Sequence, residues 1–430
     1  MKISILTYGT RGDVQPFVAL AVGLQKAGHI VRIAAPARFA DFVSQYDISF
    51  APLPGDPEEL SKLVNNANGT FNLIKAVASY IFSIANEVLS AAFAASDDAD
   101  LIVHSYLFTT GAHSFARAKN IPDVSVQLLP LFAPTRSFPS TAMPNLPPGT
   151  RSYFSHWLIV QIFWHLGNLG YARLRHLHPE TFRMALDWPF DVKKTNPTPL
   201  LLAYSPTILP RPDDWTASYI HVSGYLFLDT PALYQPPEKL TEFLKAGESP
   251  VCITFGSMVT QEANHIDQIL RTALKQTKQR GLILSGWGGA SSSQNNDNNL
   301  FYMDAAPHDW LFPRCKTIVH HGGAGTTAAG LRAGIPNIIV PHAGDQSFWG
   351  KRVADIGAGT CSVNAKNLST EALINAFIQV DKQEVRERAK IIGLKIEAEN
   401  GVREAVYLIE KQFQTFKRFG NTNRLTSPVG

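Results

Sequence analysis

From Ile3 to Gly28 the chain reads ISILTYGTRGDVQPFVALAVGLQKAG, and this stretch decides the fold. An apolar run, Ile3 to Tyr8, leads into a glycine-bearing loop, GTRGD, and then into a helical pattern from Val14 to Ala27 that Gly28 ends. Strand, tight loop and helix in that order form the first unit of an open α/β sheet. A second strand is expected at Ile30 to Ala34, with further buried runs at Leu101 to Val103, Val124 to Leu128 and Leu200 to Tyr204. Short Val/Ile/Leu runs alternating with helical stretches suit a parallel sheet covered on both faces.

The pattern then restarts. Val251 to Phe255 is another buried strand, followed by Gly256 and Ser257, and strand candidates come at Leu282 to Ser285, Leu300 to Met303, Thr317 to His320 and Asn337 to Val340. Between the two series, the proline-dense stretch from Pro206 to Pro250 reads as connection rather than core. The expected fold class is α/β, with two Rossmann-like, doubly wound parallel-sheet domains facing across a cleft, at 1–222 and 223–402. Two segments read as irregular. Leu129 to Gly149 carries repeated prolines and is expected to be a binding loop or lid, and Ser291 to Asn299 is a polar, mobile tip.

The formal charge is only +4 over 430 residues. This excludes the basic field of non-specific nucleic-acid binding and the self-repulsion of an acidic disordered chain. Charged residues make up 17% of the chain, against about 25% in a typical soluble domain, so an uncharged surface or an apolar cleft is expected. Cys252, Cys315 and Cys361 stand far apart, which disfavours a disulfide scaffold or zinc site. The first apolar run is too short for a signal-peptide core, and the cytoplasm is the expected compartment. Ser152 to Ala172 has no charged residue and is long enough to span a bilayer, yet His156, Gln161, His165, Asn168 and two glycines weaken that reading. A helix lining an apolar pocket or packed in the core is expected instead. Shallow, peripheral contact with the inner face of a membrane through Trp157 and Trp164 stays open.

The strongest local signal is HHGGAGTTAAG, His320 to Gly330, between a strand and a helix. Its glycines let the backbone approach a ligand, Thr326 or Thr327 can cap the helix, and the helix start is an anion site suited to a diphosphate. The alternative is that the glycines merely allow tight helix-to-strand packing. Gly323, Gly325 and Ala328 also satisfy the dinucleotide pattern, with Asp345 near where a ribose-binding acid would stand. Asp345 and Gln346, after the next strand, read either as sugar-hydroxyl ligands or as a helix cap. Asp13 reads either as the N-cap of a helix beginning at Val14 or as a general base, one that burial would strengthen by raising its pKa. Asp98-Ala99-Asp100 has the form of a metal-nucleotide motif but precedes its strand, and a solvated turn is expected there. No metal is inferred.

These residues resemble a known family. The run FPRCKTIVHHGGAGTTAAGLRAGIPNIIVPHAGDQSFWGKRVADIGAG, with GTRGDVQPF at the start and SGWGG and APHDWLF between, is similar to the family 1 nucleotide-sugar glycosyltransferases of the GT-B fold. Within them it resembles the sterol 3-beta-glucosyltransferase and bacterial natural-product branch. The resemblance implies an inverting, metal-independent transfer from a UDP-sugar, with glucose expected, to a hydroxyl of a lipophilic acceptor such as a sterol, flavonoid or polyketide. No cofactor beyond that co-substrate is implied. Asp13 would be the base, with Thr10 and Arg11 lining the sugar and phosphate side. Ala306, through its backbone, and His308 would meet the uridine, and Ser257, His321, Ala324, Gly325 and Thr326 the diphosphate. Asp345 and Gln346 would hold the sugar. The last helix, 403–418, would return to the first domain and leave a tail at 419–430. Plant members of the wider family carry His as the base with an Asp after a later strand, where this chain has Asp13 and Ser105. The Trp that stacks on uracil there is Ala305 here, which leaves uridine against thymidine open. An NAD-type oxidoreductase, resting on the glycine pattern alone, and a non-catalytic nucleotide-sugar binder are the alternatives.

Overall fold

A computed structural model describes residues 1–57, 59, 70–141, 146–183, 186–190, 197–231, 234–255, 263–284, 299–342, 344–361 and 365–419. The chain divides into two units. The first holds Met1–Pro206, Arg211–Leu228 and the chain from Asn400 onward, and the second holds Thr207–Pro210 and Asp229–Glu399.

In the first unit the chain runs β1 (Lys2–Leu6), α1 (Arg11–Lys26), β2 (Ile30–Pro36), α2 (Ala40–Ser44), β3 (Ser49–Leu53), α3 (Thr70–Ala94), β4 (Leu101–His104), α4 (Thr109–Lys119), β5 (Asp123–Gln127), α5 (Thr150–Leu177), β6 (Leu200–Leu202) and β7 (Ile220–Val222). The strands form one sheet in the order β3-β2-β1-β4-β5-β6-β7. Every pairing is parallel, with Ile3 opposite Val31 on one side and Leu101 on the other. Successive side chains of β1 point to opposite faces, so Ile3 and Ile5 join Val14, Phe17 and Leu20 of α1 while Leu6 joins Phe108, Phe115 and Leu174 across the sheet.

The second unit repeats the scheme through α6 (Glu238–Lys245), β8 (Val251–Thr254), α7 (Ala263–Gln276), β9 (Gly281–Leu284), β10 (Leu300–Met303), α8 (His308–Leu311), β11 (Thr317–His320), α9 (Ala324–Arg332), β12 (Asn337–Ile339), α10 (Gln346–Asp355), β13 (Gly359–Thr360), α11 (Thr370–Val380) and α12 (Gln383–Glu399). Its parallel sheet has the order β10-β9-β8-β11-β12-β13. In each sheet the strand order reverses once beside the opening strand, between β1 and β4 and between β8 and β11. The carboxyl ends of such strand pairs form the crevice where open α/β sheets take ligands.

Three readings are corrected. The stretch from Pro206 to Pro250 is not mere connection: it supplies edge strand β7 to the first sheet, then helix α6 to the second unit, and the units change over between Leu228 and Asp229. Helix α1 begins at Arg11, not Val14, with Thr10 as its N-cap, so Asp13 sits inside the first turn and Pro16 is the sixth helical residue. The glycine-loop helix is capped by Gly323 rather than by a threonine. The polar tip at 291–298 and the tail from 420 lie outside the described residues. No helix among the described residues is long and apolar enough to cross a membrane.

The last helix, α13 (Gly401–Phe419), belongs to the first unit, where Ala405, Leu408 and Ile409 enter the core beside α1. The two helices meet at Gly23, where an added Cβ would stand 2.4 Å from Val402 Cγ1. His29 and Glu410 bond at 2.9 Å beside this contact. We therefore expect Gly23→Val to overpack the contact and lower stability by about 1–3 kcal/mol, read as a fall in the urea midpoint. An unchanged midpoint would show that the two helices part at no cost.

Candidate active site

The first group of site residues follows β1. Asp13 is the third residue of α1, and its Oδ2 accepts the Thr10 backbone N–H at 2.8 Å and the Thr10 hydroxyl at 3.1 Å. The carboxylate thereby folds back over Gly9, whose φ is +140° and where a Cβ would lie 2.3 Å from that same Oδ2. Only glycine leaves this rotamer open. Burial raises the Asp13 pKa above the ordinary aspartate value, and the Thr10 hydrogen bonds oppose that rise. Thr10 is thus engaged with Asp13. Arg11 donates from Nε to Gln15 at 3.0 Å and lays its guanidinium 4.7 Å from the Phe42 ring centre. Across the strand-order reversal, the Ser105 N–H donates to the Leu6 carbonyl at 2.9 Å, and its buried hydroxyl finds no protein partner.

The second group follows β11. Gly322, at φ +92°, turns the chain where a Cβ would strike Ile339 at 2.6 Å, and Gly330 packs where one would strike Ile318 at 2.2 Å. A Cβ at Gly325 would meet nothing within 4 Å. Tight packing is therefore the work of Gly322 and Gly330, while Gly325 faces open space. Ala324, Gly325 and Thr326 are the first three residues of α9, and their N–H groups precede the first helical bond, Thr327 N–H to Gly323 O at 3.0 Å.

His320 is fully buried, accepts the Gly322 N–H at Nδ1 and donates from Nε2 to Asn337 Oδ1 at 3.0 Å, so it fixes the turn as a neutral imidazole. His321 turns away from it, the two rings standing at 88°, and its Nδ1 is buried without a protein partner. Burial, with the charges of His342 and His308 second, pushes the His321 pKa down to about 4. His308 opens α8 stacked on Phe312 at 4.4 Å, two residues beyond Ala306. Asp345 is the N-cap residue of α10 but does not cap it through its side chain, because Oδ2 accepts the Trp349 indole N–H at 2.8 Å. Gln346 accepts the His342 N–H at 2.7 Å. His342 itself, inside the PHAGDQ segment, is a site neighbour that sequence reasoning left without a role. Ser257 lies outside the described residues.

A third group is aromatic. Phe163 on α5 meets Tyr106, one residue beyond Ser105, at 6.0 Å and Phe132 at 4.9 Å, and Phe132 meets Trp188 at 5.4 Å and Phe190 at 5.9 Å. The proline-rich loop that carries Phe132 is pinned to α5. Ser155 Oγ accepts the Ser140 N–H at 2.9 Å, Ser152 donates to the Pro147 carbonyl at 2.9 Å, and His156 Nε2 bonds the Phe138 carbonyl at 3.1 Å. Of the residues that weakened a membrane reading of this helix, His156 is one that ties its inner face to the unit. Gly167 is another, since a Cβ there would strike Thr110 at 2.5 Å.

The D-x-D segment serves structure. Asp98 pairs with Arg32 at 2.7 Å and Lys2 at 3.3 Å, and Asp100 accepts the Lys2 N–H at 2.7 Å. Among the described residues no group of three or more His, Cys, Asp or Glu could hold a metal ion.

Known proteins carry the same plan. Residues 3–113 match the glycosyltransferase family 28 N-terminal domain, and residues 290–403 match the C-terminal domain of the erythromycin biosynthesis protein CIII-like type. A sterol 3-beta-glucosyltransferase of Arabidopsis thaliana is 34% identical over 94% of this chain, which covers 67% of that protein. A second from the same plant is 34% identical with 97% and 66% covered, and one from Pichia angusta is 34% identical with 96% and 34% covered. The chain thus spans about two thirds of the plant relatives and about one third of the Pichia one. In fold it is similar to the glycotransferase of kitacinnamycin, at TM-score 0.70 and 18% identity over 96% of this chain and 99% of that one. The calicheamicin glycosyltransferase CalG4 superposes at TM-score 0.69 and 17% identity, over 96% and 98%.

Two buried imidazoles make stability depend on pH. His156 in the first unit is pushed down to about 4 and His320 in the second to about 3, each chiefly by burial. Their unfolded pKa is about 6.5. The unfolded chain therefore binds more protons below that value, so the contribution of each buried neutral ring is complete above about pH 6.5 and is lost as the pH falls toward its folded pKa. We expect urea unfolding at pH 5 to show about 2 kcal/mol less stability per histidine than at pH 7, with His156→Gln removing its share. Equal stability at the two pH values would contradict the buried neutral assignments.

Proposed function

We propose that this chain, which belongs to the sterol 3-beta-glucosyltransferase family of GT-B glycosyltransferases, moves a sugar from a UDP-sugar to a hydroxyl of a lipophilic acceptor. The observation that carries the reading is the placement of both polar groups after the strands at which each sheet reverses its order. The three open N–H groups of α9 and His321 suit a diphosphate, because a helix start offers donors and the positive end of a dipole. Asp345 suits sugar hydroxyls, since it opens α10 just beyond the end of a sheet strand and the Trp349 indole orients its carboxylate. The aromatic group that begins at Tyr106 suits an apolar acceptor body.

In this reading the acceptor hydroxyl donates to the Asp13 carboxylate, and its oxygen attacks the anomeric carbon as the bond from that carbon to the β-phosphate oxygen breaks. The bonding pair leaves with UDP, and its charge is met by the α9 donors and His321. The hydroxyl proton passes late to Asp13, and one in-line displacement inverts the anomeric centre. The raised Asp13 pKa narrows the gap to the hydroxyl proton it accepts. Family membership sets aside the oxidoreductase alternative. Structures of two of the more distant transferases, SsfS6 and VinC, hold thymidine diphosphate, so the base is the least constrained part of the donor.

The test is donor and acceptor profiling by product mass, with UDP- and TDP-sugars against sterols and flavonoids. Asp13→Asn is expected to cut kcat by about 100- to 10,000-fold with UDP affinity kept. Wild-type kcat/KM should fall on acidification with a midpoint above the ordinary aspartate value. Full turnover in Asp13→Asn would reduce that residue to a helix-start hydrogen bond, and UDP binding with no product from any pair would leave a non-catalytic binder.

A further inference from the structure

Helix α5 presents two unlike faces. Its inner face carries the residues that bond the proline-rich loop. Its outer face sets Phe154, Trp157, Ile162, Leu166, Leu169 and Leu177 to solvent, each 42–57% exposed. Single exposed apolar residues are ordinary, but a stripe of six along one helix is a surface with a purpose. Phe154 and Trp157 stack at 5.3 Å, forming one flat aromatic plate near the start of the helix.

The charges on the same helix have one sign. Arg151 stands at its start and Arg173 and Arg175 near its end, and no Asp or Glu occurs from Thr150 to Leu177. Near that end a groove of about 350 Å³ against α3 is lined by Asn86, Leu169, Ala172, Arg173, His176 and Leu177. It joins an apolar wall to cationic and amide groups, which suits an acyl chain with an anionic headgroup.

We propose that the outer face of α5 docks this protein on an anionic lipid bilayer. The helix lies in the interface rather than across it, since it is not apolar enough to span. Trp and Phe rings favour the headgroup level, and arginines at both ends meet anionic lipid. A second copy of the chain is the poorer occupant. An antiparallel two-fold contact would set Arg151 of one helix against Arg173 and Arg175 of the other, like charge on like. The proposal stands on this face alone and is read without donor or acceptor, so its failure and the failure of the transfer reading are separate results.

The test is co-sedimentation of the full chain with phosphatidylcholine vesicles with and without phosphatidylserine. Binding to the mixed vesicles is expected to be at least about tenfold stronger than to phosphatidylcholine alone and to weaken with salt. The variant Trp157→Ser with Leu169→Gln should lose about tenfold, and Arg173→Glu with Arg175→Glu should lose the serine-lipid preference. Trp157, Leu169 and Arg175 are exposed and Arg173 lines the groove, and unchanged thermal midpoints certify the folds. Absence of wild-type binding to mixed vesicles overturns the proposal, as does equal binding by the apolar variant. A concentration-dependent dimer in light scattering that the apolar variant dissolves, with no vesicle binding, also overturns it by assigning the face to self-association.

Discussion

Every strand in both sheets runs parallel to its neighbours, and the rest of the structure follows from that constraint. Parallel strands cannot be joined by a hairpin, so each connection must cross a face of the sheet, usually as a helix. All strand-to-helix loops then emerge at one edge, and each helix that follows points its unbonded N–H groups back toward that edge. The Asp13 loop after β1 and the His321 loop after β11 occupy corresponding places for this reason alone. Their different chemistry comes from side chains: a carboxylate folded onto Gly9 in one, open N–H groups beside a neutral imidazole in the other.

The parts legible in the sequence were those whose signal is local. All ten strands read from apolar runs are present, because a strand buried on both faces must be nearly continuous in Val, Ile and Leu. The three strands not read, β3, β7 and β13, include Pro52 in one case and only three and two residues in the others. Each lies toward or at a sheet edge, where burial asks less of the sequence. The starts of α1 and α9 were misplaced by three or four residues, since threonine and aspartate near a helix start satisfy more than one capping pattern. Asp13 was legible as a residue of consequence, but its geometry depends on the φ of Gly9, which no spacing reveals.

What depends on segments far apart in the chain was not legible. The aromatic group draws Tyr106, Phe132, Phe163, Trp188 and Phe190 from four separate stretches. A buried carboxylate, Asp123, is held between His104 at 3.2 Å and His113 at 3.1 Å with Thr198 beside it, joining β4, α4, β5 and the approach to β6. The two imidazoles hold its acid well below the usual carboxylate range, against the effect of burial. No motif marks this cluster, because each member is an ordinary residue until the topology brings them together.

The packing of α13 against α1 carries a consequence for how the molecule is made. Domains ordinarily fold in order of synthesis, N-terminal first. Here the core of the first unit is closed by Ala405, Leu408 and Ile409, which leave the ribosome after all of Thr207–Pro210 and Asp229–Glu399. The second unit therefore has its full complement of residues while the first still lacks a wall, with Gly23 and its apolar neighbours on α1 uncovered. During synthesis the unit that holds β1 is therefore completed after the unit that follows it in the chain.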